Sequence, residues 1–455
     1  MNSRTWRFAA MALTTLLVIP VSLVAQNQRA APPRYVLKTL GTLGGYSSWL
    51  FAGPPSFKIL NNRGMVAESA GLLTIDPYTP CFTDCTVDHT ARWQNGALTD
   101  LGSLPGNHPS SAPLSISDNG LFIAGASENG SYDPLTRYPE YDAVLWQRGH
   151  KIQNLGTFGG NFSDAVSVND LGQVVGGATN KTADPYAKGI GPCWFLNCWP
   201  AGTQWRAFLW QNGVMTDLGT LGTGNDAVAG LVNALGQVAG ISYTNTVANH
   251  TTKIPTQDPF FWEQGNSMVD MGTLGGTLGF PNWLNSNGQV VGQSNLSGDK
   301  KYHPFLWQKG GTMQDLGTLG GDSGTAMWIN DAGEIVGGAW KTGNRAFHAV
   351  LWKNGRAHDL GVLPGYKHGL AYSINAKGQI VGCVTNDAAG CSETSAHGFL
   401  WQNGTMYDLN NLASHGSGTI MTLPLNINDR GEIATGGILH NDLLQAFILI
   451  PRTKP

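Results

Sequence analysis

The stretch from His303 to Gly338, HPFLWQKGGTMQDLGTLGGDSGTAMWINDAGEIVGG, decides the fold because the chain repeats it. It contains three motifs: an apolar run that ends in Trp307, a Leu-Gly-Thr-Leu-Gly-Gly segment at 316–321, and an Asn-Asp-Ala-Gly turn at 330–333 that precedes a pair of β-branched residues. A period of this kind is the signature of a repeat architecture, in which each copy folds as one unit and packs on its neighbours.

The turn motif occurs eight times. Its glycines are Gly64, Gly120, Gly172, Gly236, Gly288, Gly333, Gly378 and Gly431. Successive glycines lie at least 45 residues apart, as between Gly288 and Gly333, and at most 64 apart, as between Gly172 and Gly236. A unit of about 45 residues with insertions matches the four-stranded blade of a β-propeller.

Four strands can be placed in each unit. A turn rich in Asn, Asp and Gly between two β-rich runs is typical of a hairpin, so the turn motif joins the first two strands. The run that ends in Trp is the third strand, and a second hairpin follows it, as in the Asn-Gly at 403–404. If these two residues form the turn, Trp401 lies opposite Met406, and Trp210 lies opposite Met215 in another copy. The fourth strand leads into the next Leu-Gly-x-Leu segment.

The two ends of the repeated region complement each other. Residues 35–40 supply a fourth strand with no third strand before it, and the chain stops after a third strand near Ile450. Together they complete one blade, and a ring closed in this way leaves no exposed strand edge at its ends. The sequence therefore predicts an all-β, eight-bladed propeller closed by the N-terminal strand. A seven-bladed ring with an irregular extra unit is the alternative.

The N-terminus is typical of a secretory signal peptide, which we assign to residues 1–25. Arg4 and Arg7 form the basic start, and an apolar run follows from 8 to 24. An uncleaved membrane anchor is the alternative, although the run is short for a span. The remaining chain divides into a short linker, one propeller domain and a tail, at 26–33, 34–451 and 452–455. No membrane span is expected after cleavage.

Charge and composition exclude several classes of protein. The chain has 27 Lys and Arg against 30 Asp and Glu, and the predicted signal peptide removes two of the basic residues, which leaves a net charge of 25 − 30 = −5. Nucleic acid is therefore not an expected partner, because phosphate binding needs a basic surface. The glycine-rich segment lies between strands and has no following Lys, so it is not a phosphate-binding loop. No cofactor is expected.

The six Cys form three close pairs, and an even number after a signal peptide is typical of disulfides. We expect each Cys to bond to its near neighbour: Cys81 with Cys85, Cys193 with Cys198, and Cys383 with Cys391. A zinc site built from several loops is the alternative. The signal peptide and the disulfides together predict a secreted, cell-surface or periplasmic protein.

Three copies of the third-strand motif begin with His, as in His303-Pro304-Phe305-Leu306-Trp307; the other two start at His348 and His397. Joined to the Leu-Gly-Thr-Leu-Gly-Gly segment, these motifs resemble the HAF family of bacterial extracellular repeat proteins over about residues 34–450. Asp142, Arg206 and Asp258 stand at the His position in three other copies, which departs from the pattern. The resemblance implies secretion and a repeated structure, and it implies no catalytic residue.

Two charged positions recur in the repeat, and we interpret both as structural. The first carries His89, His303, His348 and His397, and the second carries Asp100, Asp217, Asp270, Asp315, Asp359 and Asp408. A catalytic pair is needed only once, so recurrence in many blades indicates bonds to backbone groups or between the two positions within a blade. The same pairing would bring Asp258 and Asp270 together as two acids. The Asn of each turn motif is predicted to form the turn, since Asn bonds its own backbone.

Most of the added length lies between the second and third strands, at about 68–88, 126–141, 179–205 and 242–257. In a propeller these connections emerge on one face, and insertions gathered there commonly mark a binding side. We therefore predict ligand contacts from the aromatic residues of these loops, namely Tyr138, Tyr141, Trp194, Phe195, Trp199 and Trp205. The alternative is that these aromatics pack the loops onto the ring.

Three hypotheses of function follow. The first is a secreted, non-catalytic binding or scaffold module for a glycan or protein, with disulfides that stiffen its loops. The second is a secreted polysaccharide hydrolase or lyase that uses acids on the long loops. Its candidate acids are Asp76, Asp84, Glu128, Asp133, Glu140 and Asp184. Because these acids belong to no motif, the sequence favours the binding module and assigns neither a catalytic residue nor a metal ligand. The third hypothesis is a purely structural cell-surface protein.

Overall fold

The structure, a computed structural model, describes residues 32–50, 57–79, 81, 85–187, 202–388, 390–392, 394–414, 418–441 and 443–452. Residues from Pro33 onward form one compact unit. A short 3₁₀ turn lies at Leu409–Asn411. None of the described residues belongs to a helix that could cross a bilayer. The predicted signal peptide lies outside the described residues.

The strands group into eight four-stranded units, the blades, which we number by the turn motif that each one carries. The first strand, β1 (Tyr35–Thr39), belongs to blade 8. The strands of blades 1 to 4 are β2 (Ser48–Trp49), β3 (Val66–Ile75), β4 (Thr86–Gln94) and β5 (Ala97–Gly102); β6 (Ser111–Ile116), β7 (Phe122–Tyr132), β8 (Pro139–Gln147) and β9 (Gln153–Asn154); β10 (Ser163–Val168), β11 (Val174–Ala183), β12 (Thr203–Gln211) and β13 (Val214–Asp217); and β14 (Ala227–Val232), β15 (Val238–Tyr243), β16 (Gln257–Trp262) and β17 (Val269–Asp270).

The strands of blades 5 to 8 follow the same order. They are β18 (Gly275–Leu284), β19 (Gln289–Leu296), β20 (Tyr302–Gln308) and β21 (Gln314–Asp315); β22 (Gly320–Ile329), β23 (Ile335–Lys341), β24 (Phe347–Lys353) and β25 (Arg356–Gly361); β26 (His368–Ile374), β27 (Ile380–Thr385), β28 (Ala396–Gln402) and β29 (Thr405–Asp408); and, in blade 8, β31 (Ile420–Ile427), β32 (Ile433–Ile438) and β33 (Leu444–Pro451), with β1 as the fourth strand. The two-residue β30 (Ala413–Ser414) precedes β31 and lies outside these four strands.

Within each blade, consecutive strands are hydrogen-bonded neighbours and run antiparallel. One parallel bridge between Gln257 and Leu278 joins blades 4 and 5 into a continuous sheet. The predicted register of the outer hairpin is confirmed, because Trp401 lies opposite Met406 and Trp210 opposite Met215.

The first strand of the chain completes the last blade. β1 pairs antiparallel with β33, and Thr39 lies opposite Phe447. The two-residue β30 adds a parallel strand on the outer side of β1. Blades 8 and 1 also bond directly, since the Ile59 N–H donates to Asn426 Oδ1 at 2.8 Å. The predicted propeller fold is therefore confirmed. The strand pairing agrees with eight blades in which the N-terminal strand completes the last one, and it favours this arrangement over the seven-bladed alternative.

The insertions between second and third strands contain more strand than predicted. In blade 1, β3 continues to Ile75 and β4 starts at Thr86, so the connection is 76–85 rather than 68–88. The two arms pair with each other as far as Ile75 and Thr86. In this extension the exposed Leu73 and Ile75 alternate with the half-buried Leu72 and Thr74, which is the period of two that a strand requires.

Seven of the eight turn motifs begin with an Asn that holds the turn, as predicted. The side-chain Oδ1 of Asn330 accepts the N–H groups of Ala332 and Glu334 at 3.1 and 2.9 Å. Its Nδ2 donates to the carbonyl oxygen of Asn375 in the next blade at 3.2 Å. We call Asn61, Asn169, Asn233, Asn285, Asn330, Asn375 and Asn428 the Asn ring, because this interblade bond recurs from each of them. In blade 2, whose turn motif begins with Ser117, the Ser117 carbonyl oxygen accepts from Asn61 Nδ2 at 3.0 Å.

One register position of the second strand is occupied by glycine in six blades. A β-bulge in the first strand brings its backbone against this position, so that a Cβ on Gly337 would lie 2.0 Å from the Thr325 carbonyl oxygen. Blade 1 carries Glu68 there instead. Its first strand, β2, pairs with Ser69 and Ala70, and Glu68 itself lies opposite Ala91 of the third strand.

Candidate functional site

The ring has two unlike faces. Because the four strands of a blade alternate in direction, the Asn turns and the outer Asn-Gly hairpins lie on one face, which we call the turn face. The connections from second to third strand, and from fourth strand to the next blade, lie on the other, which we call the loop face. Those of the predicted ligand contacts and candidate acids that the structure describes belong to the loop face.

The long loops of blades 1 to 3 begin with the same dipeptide, Asp-Pro, at 76–77, 133–134 and 184–185. Each Asp carboxylate accepts a backbone N–H of its own loop, from Tyr78, Thr136 and Tyr186 at 2.8, 2.7 and 2.6 Å. The second carboxylate oxygen accepts from a side chain just ahead of the first strand of the next blade, and these donors are Ser110, Asn161 and Asn225. Three of the candidate acids therefore fix the loops to the ring.

A fourth candidate acid, Glu128, is linked to Asp76 through Ser110. The Ser110 N–H donates to Glu128 Oε2 at 2.7 Å, and its Oγ donates to Asp76 Oδ2 at 2.9 Å. Burial, together with the nearby Asp76 carboxylate, raises the pKa of Glu128 to about 8. The two side chains are 0% and 5% exposed, so a polymeric substrate has no access to them.

The last two candidate acids are Glu140 and Asp84. Glu140 is half-buried and accepts a bond from Asn129 at 3.3 Å, and burial raises the pKa of Glu140. Asp84 lies outside the described residues.

Some of the aromatic residues predicted to contact a ligand are buried, and others lie outside the described residues. Trp205 and Tyr141 are 0% and 1% exposed and pack in a hydrophobic core cluster, and the half-buried Tyr138 packs against that cluster. Side chains with no exposed surface cannot touch a ligand, so for Trp205 and Tyr141 the structure favours the packing alternative. Trp194, Phe195 and Trp199 lie outside the described residues, and contact with a ligand there stays a prediction.

Two of the predicted disulfides are present. Cys81 bonds to Cys85 in the blade 1 loop, and Cys383 bonds to Cys391 in blade 7. The third pair, Cys193 and Cys198, lies outside the described residues. Over the part of the chain that the structure describes, no group of three or more His, Cys, Asp or Glu side chains is arranged to hold a metal ion.

The recurring His and Asp residues pair across the third and fourth strands of the loop face, as predicted. The pairs are His89–Asp100, His303–Asp315, His348–Asp359 and His397–Asp408, with Nδ1 to oxygen distances of 3.0, 2.8, 2.7 and 3.8 Å. In blade 3, Arg206 replaces His and bonds Asp217 at 2.9 Å. The Asp carboxylate also accepts a backbone N–H two residues on, such as that of Gly317 from Asp315 at 2.7 Å. These roles are structural.

Blade 4 departs from this pattern because two acids face each other. Asp258 is buried at the His position, and Asp270 occupies the usual Asp position. Burial, together with the charge and hydrogen bond of Asp270, raises the pKa of Asp258 to about 7. The sequence predicted this meeting of two acids.

On the turn face, the first strands of all eight blades surround a cavity of about 240 Å³ at the mouth of the central channel. Trp283 and Trp328 of blades 5 and 6 stack there with ring centroids 3.4 Å apart. Lys58 and Asp118 of blades 1 and 2 form an ion pair of 2.5 Å. This cavity was not predicted from the sequence, because function was sought in the insertions and the lining residues belong to the regular first strands and turns.

The chain is similar to solved structures that contain β-propellers. Eighty per cent of it aligns with 96% of the β-propeller domain of the Trilobed protease from Pyrococcus furiosus, at 8% identity and a TM-score of 0.44. For Porphyromonas gingivalis dipeptidyl peptidase 4, 88% of this chain aligns with 60% of that protein, at 9% identity and a TM-score of 0.48. For Trypanosoma rangeli sialidase, 91% of this chain aligns with 58% of that protein, at 11% identity and a TM-score of 0.40. The chain thus spans about three fifths of the latter two proteins. At this identity the likeness concerns the fold alone. The sequence matches no protein-family model and no curated protein.

Proposed function

We propose that the protein is a secreted, non-catalytic binding module that presents its loop face to a glycan or protein ligand. The observation that carries this proposal is the set of three Asp-Pro turns, because each one ties a long loop both to itself and to the next blade. Cys81 and Cys85 add a covalent link within one of these loops. Loops held in this way lose little conformational entropy when a ligand binds.

The positions of the acids support binding over hydrolysis. A glycoside hydrolase needs two carboxyl groups open to the substrate on either side of the scissile bond. Asp76 and Glu128 are buried and bonded through Ser110. Asp133 and Asp184 repeat the Asp76 role in other blades, and a role that recurs in several blades is structural.

Secretion is supported by the two disulfides, since disulfides persist in oxidising compartments. Membership of the HAF family would agree with secretion and with the repeated blades. The signal peptide predicted at residues 1–25 supplies the route of export, and mass spectrometry of the secreted protein would locate its cleavage site.

The test is a binding screen of the purified protein against arrays of glycans, polysaccharides and extracellular proteins. We expect a ligand whose binding is lost in the Trp194→Ala and Trp199→Ala variants while thermal unfolding is unchanged. Val214→Ala, an exposed change on the turn face, is the control. A fall in thermal stability with unchanged binding would assign these Trp residues to packing, and release of oligosaccharide products would favour the hydrolase or lyase.

A further inference from the structure

We propose that the channel mouth on the turn face is a binding site for one neutral sugar residue. The inference rests on the proposed binding function and deepens it, because it names a ligand class and a second site on the face opposite the long loops. The cavity is surrounded by the last residues of the eight first strands and by the Asn turns that follow them.

One wall of the cavity is aromatic because two blades depart from the repeat. At the position after the first-strand bulge, blades 2, 3 and 7 carry a serine, at 115, 167 and 373. Blades 5 and 6 carry Trp283 and Trp328 at this position, and their rings stack with an interplanar angle of 17°. Trp283 is half-buried and lines the cavity, so part of the indole surface is open to a ligand.

The opposite wall is polar. In a ring of eight, blades 1 and 2 lie across the axis from blades 5 and 6, and they contribute Lys58 and Asp118. The Lys58 Nζ lies 2.5 Å from Asp118 Oδ2, and the two side chains are 28% and 44% exposed. The partly exposed pair therefore offers a donor and an acceptor side by side, while the second carboxylate oxygen of Asp118, Oδ1, is buried and has no hydrogen-bond partner. The hydroxyls of Ser115 and Ser167 lie in the same cavity.

An aromatic wall across from a donor and an acceptor fits a pyranose ring. The C–H face of the sugar packs on indole as other apolar groups do, and its hydroxyl rim bonds to an amine and a carboxylate. The cavity of about 240 Å³ is smaller than the roughly 300–1,000 Å³ of pockets for drug-sized ligands, which limits the ligand to about one ring.

Charge at the rim selects against acidic sugars. The carboxylates of Asp118, Asp170, Asp331 and Asp429 line the mouth, and the amine of Lys58 is the cation among the lining residues. An anionic sugar would meet like charges there. Asp170 and Asp331 also accept backbone N–H groups of neighbouring turns at 2.8 and 3.0 Å, which holds them in place at the rim.

The test uses the purified protein and four neutral monosaccharides: glucose, galactose, mannose and N-acetylglucosamine. Saturation-transfer NMR titrations are expected to give a dissociation constant on the order of 1 mM for at least one sugar. Trp283→Leu and Asp118→Asn should each weaken binding by about tenfold or more, because each removes a direct contact. The control, Trp340→Leu, changes a half-buried Trp on the loop face and should leave the affinity within about twofold.

Asp118→Asn alters an exposed side chain, so it keeps the proposal testable if Trp283→Leu fails to fold. Loss of sugar binding in the channel variants and its retention in Trp340→Leu would support the site. The site is overturned if none of the four sugars binds or if binding is unchanged in Asp118→Asn. It is also overturned if choline binds in place of the sugars, because aromatic side chains also bind quaternary ammonium groups. If a glycan binds in a way that needs Trp194 or Trp199 and no sugar binds at the channel mouth, this site is overturned and the proposed function stands.

Discussion

The turn face and the loop face join the same eight blades by different means. On the turn face, one type of side chain makes the same bond in most of the ring, because the amide of each Asn both closes its own turn and donates to the next blade. On the loop face the links differ from blade to blade. The Tyr302 N–H donates to Ser323 Oγ in one blade, and the Phe347 N–H donates to His368 Nδ1 in the next.

This difference teaches where the ring is uniform and where it is free to vary. A uniform bond on the turn face fixes the spacing of the blades, so the loop face can accept insertions without a change in the ring. The packing between first and second strands belongs to the uniform part. We therefore expect changes to the uniform positions to cost more than changes to the pairs on the loop face.

The largest effect is expected where two backbones touch. In Gly337→Ala the new Cβ would lie 2.0 Å from the Thr325 carbonyl oxygen, and overpacking of this kind costs about 3 kcal/mol or more of unfolding free energy. Denaturant unfolding followed by Trp fluorescence measures the loss. Gly436→Ala is the matched control, because the nearest atom to its Cβ would be 3.9 Å away. Equal stability of the two variants would contradict the bulge-against-glycine packing.

A somewhat smaller effect is expected in the Asn ring. Asn330→Ala removes two acceptor bonds and one donor bond to Glu334 Oε2 within the turn, and one donor bond to Asn375 in the next blade. With its buried partners left unsatisfied, the variant should lose about 2 kcal/mol of unfolding free energy.

The control for Asn330→Ala is Asn287→Ala, in the turn of the preceding blade. Asn287 is exposed, and its side chain makes one interblade bond to the Asp331 carbonyl oxygen at 2.9 Å. Its replacement should cost less than about 1 kcal/mol. If both substitutions have the same effect in thermal and denaturant unfolding, the Asn ring does not carry the blade contacts.

The uniform part of the molecule is also the part that the sequence predicts well. The turn glycines and the Trp runs recur at fixed spacing, so a local pattern was enough to place the strands, the Trp401–Met406 pair and the partner of the first strand. The local Cys pairs at 81–85 and 383–391 followed from their short spacing.

The variable part was predicted less well, for physical reasons. Trp205 and Tyr141 lie in third strands that extend into the predicted loops, and their burial depends on strand register, which loop length does not reveal. The structural role of Asp76 could have been found from the Asp-Pro dipeptide shared by three loops. The walls of the channel mouth could not, because Trp283 and Lys58 come from distant blades and share no motif.

The acid pair of blade 4 tests whether the loop face is free to vary without cost. The raised pKa of Asp258, about 7, exceeds the usual value of about 3.9, so the folded protein keeps a proton that the unfolded chain releases. Its contribution to stability is therefore complete below about pH 4 and is lost as the pH rises towards 7. Asp270→Asn removes the facing charge, so it should weaken this pH dependence and raise the unfolding free energy at pH 8 by about 1 kcal/mol.

Asp315→Asn is the matched control, since it makes the same change at the same position of the next blade. There the facing residue is His303, at 2.8 Å, so the substitution removes no like charge and should give no gain at pH 8. Both residues cap a following glycine, Gly272 or Gly317, at 2.7 Å, and Asn preserves that bond. The measurement is the unfolding free energy of both variants from pH 4 to pH 8. If it changes with pH equally in the two variants, Asp258 and Asp270 do not repel each other in blade 4.

The smallest effect is expected for a single His–Asp pair of the loop face. A double-mutant cycle of His303→Ala and Asp315→Ala should give a coupling of about 0.5 kcal/mol, because Asp315 is 43% exposed and water screens its charge. Asp315→Ala alone should cost more than His303→Ala, because Asp315 also accepts the Gly317 N–H. Denaturant unfolding at neutral pH measures all four proteins. A coupling well above 1 kcal/mol would show that these pairs help to hold the ring, and the contrast between the two faces would then fail.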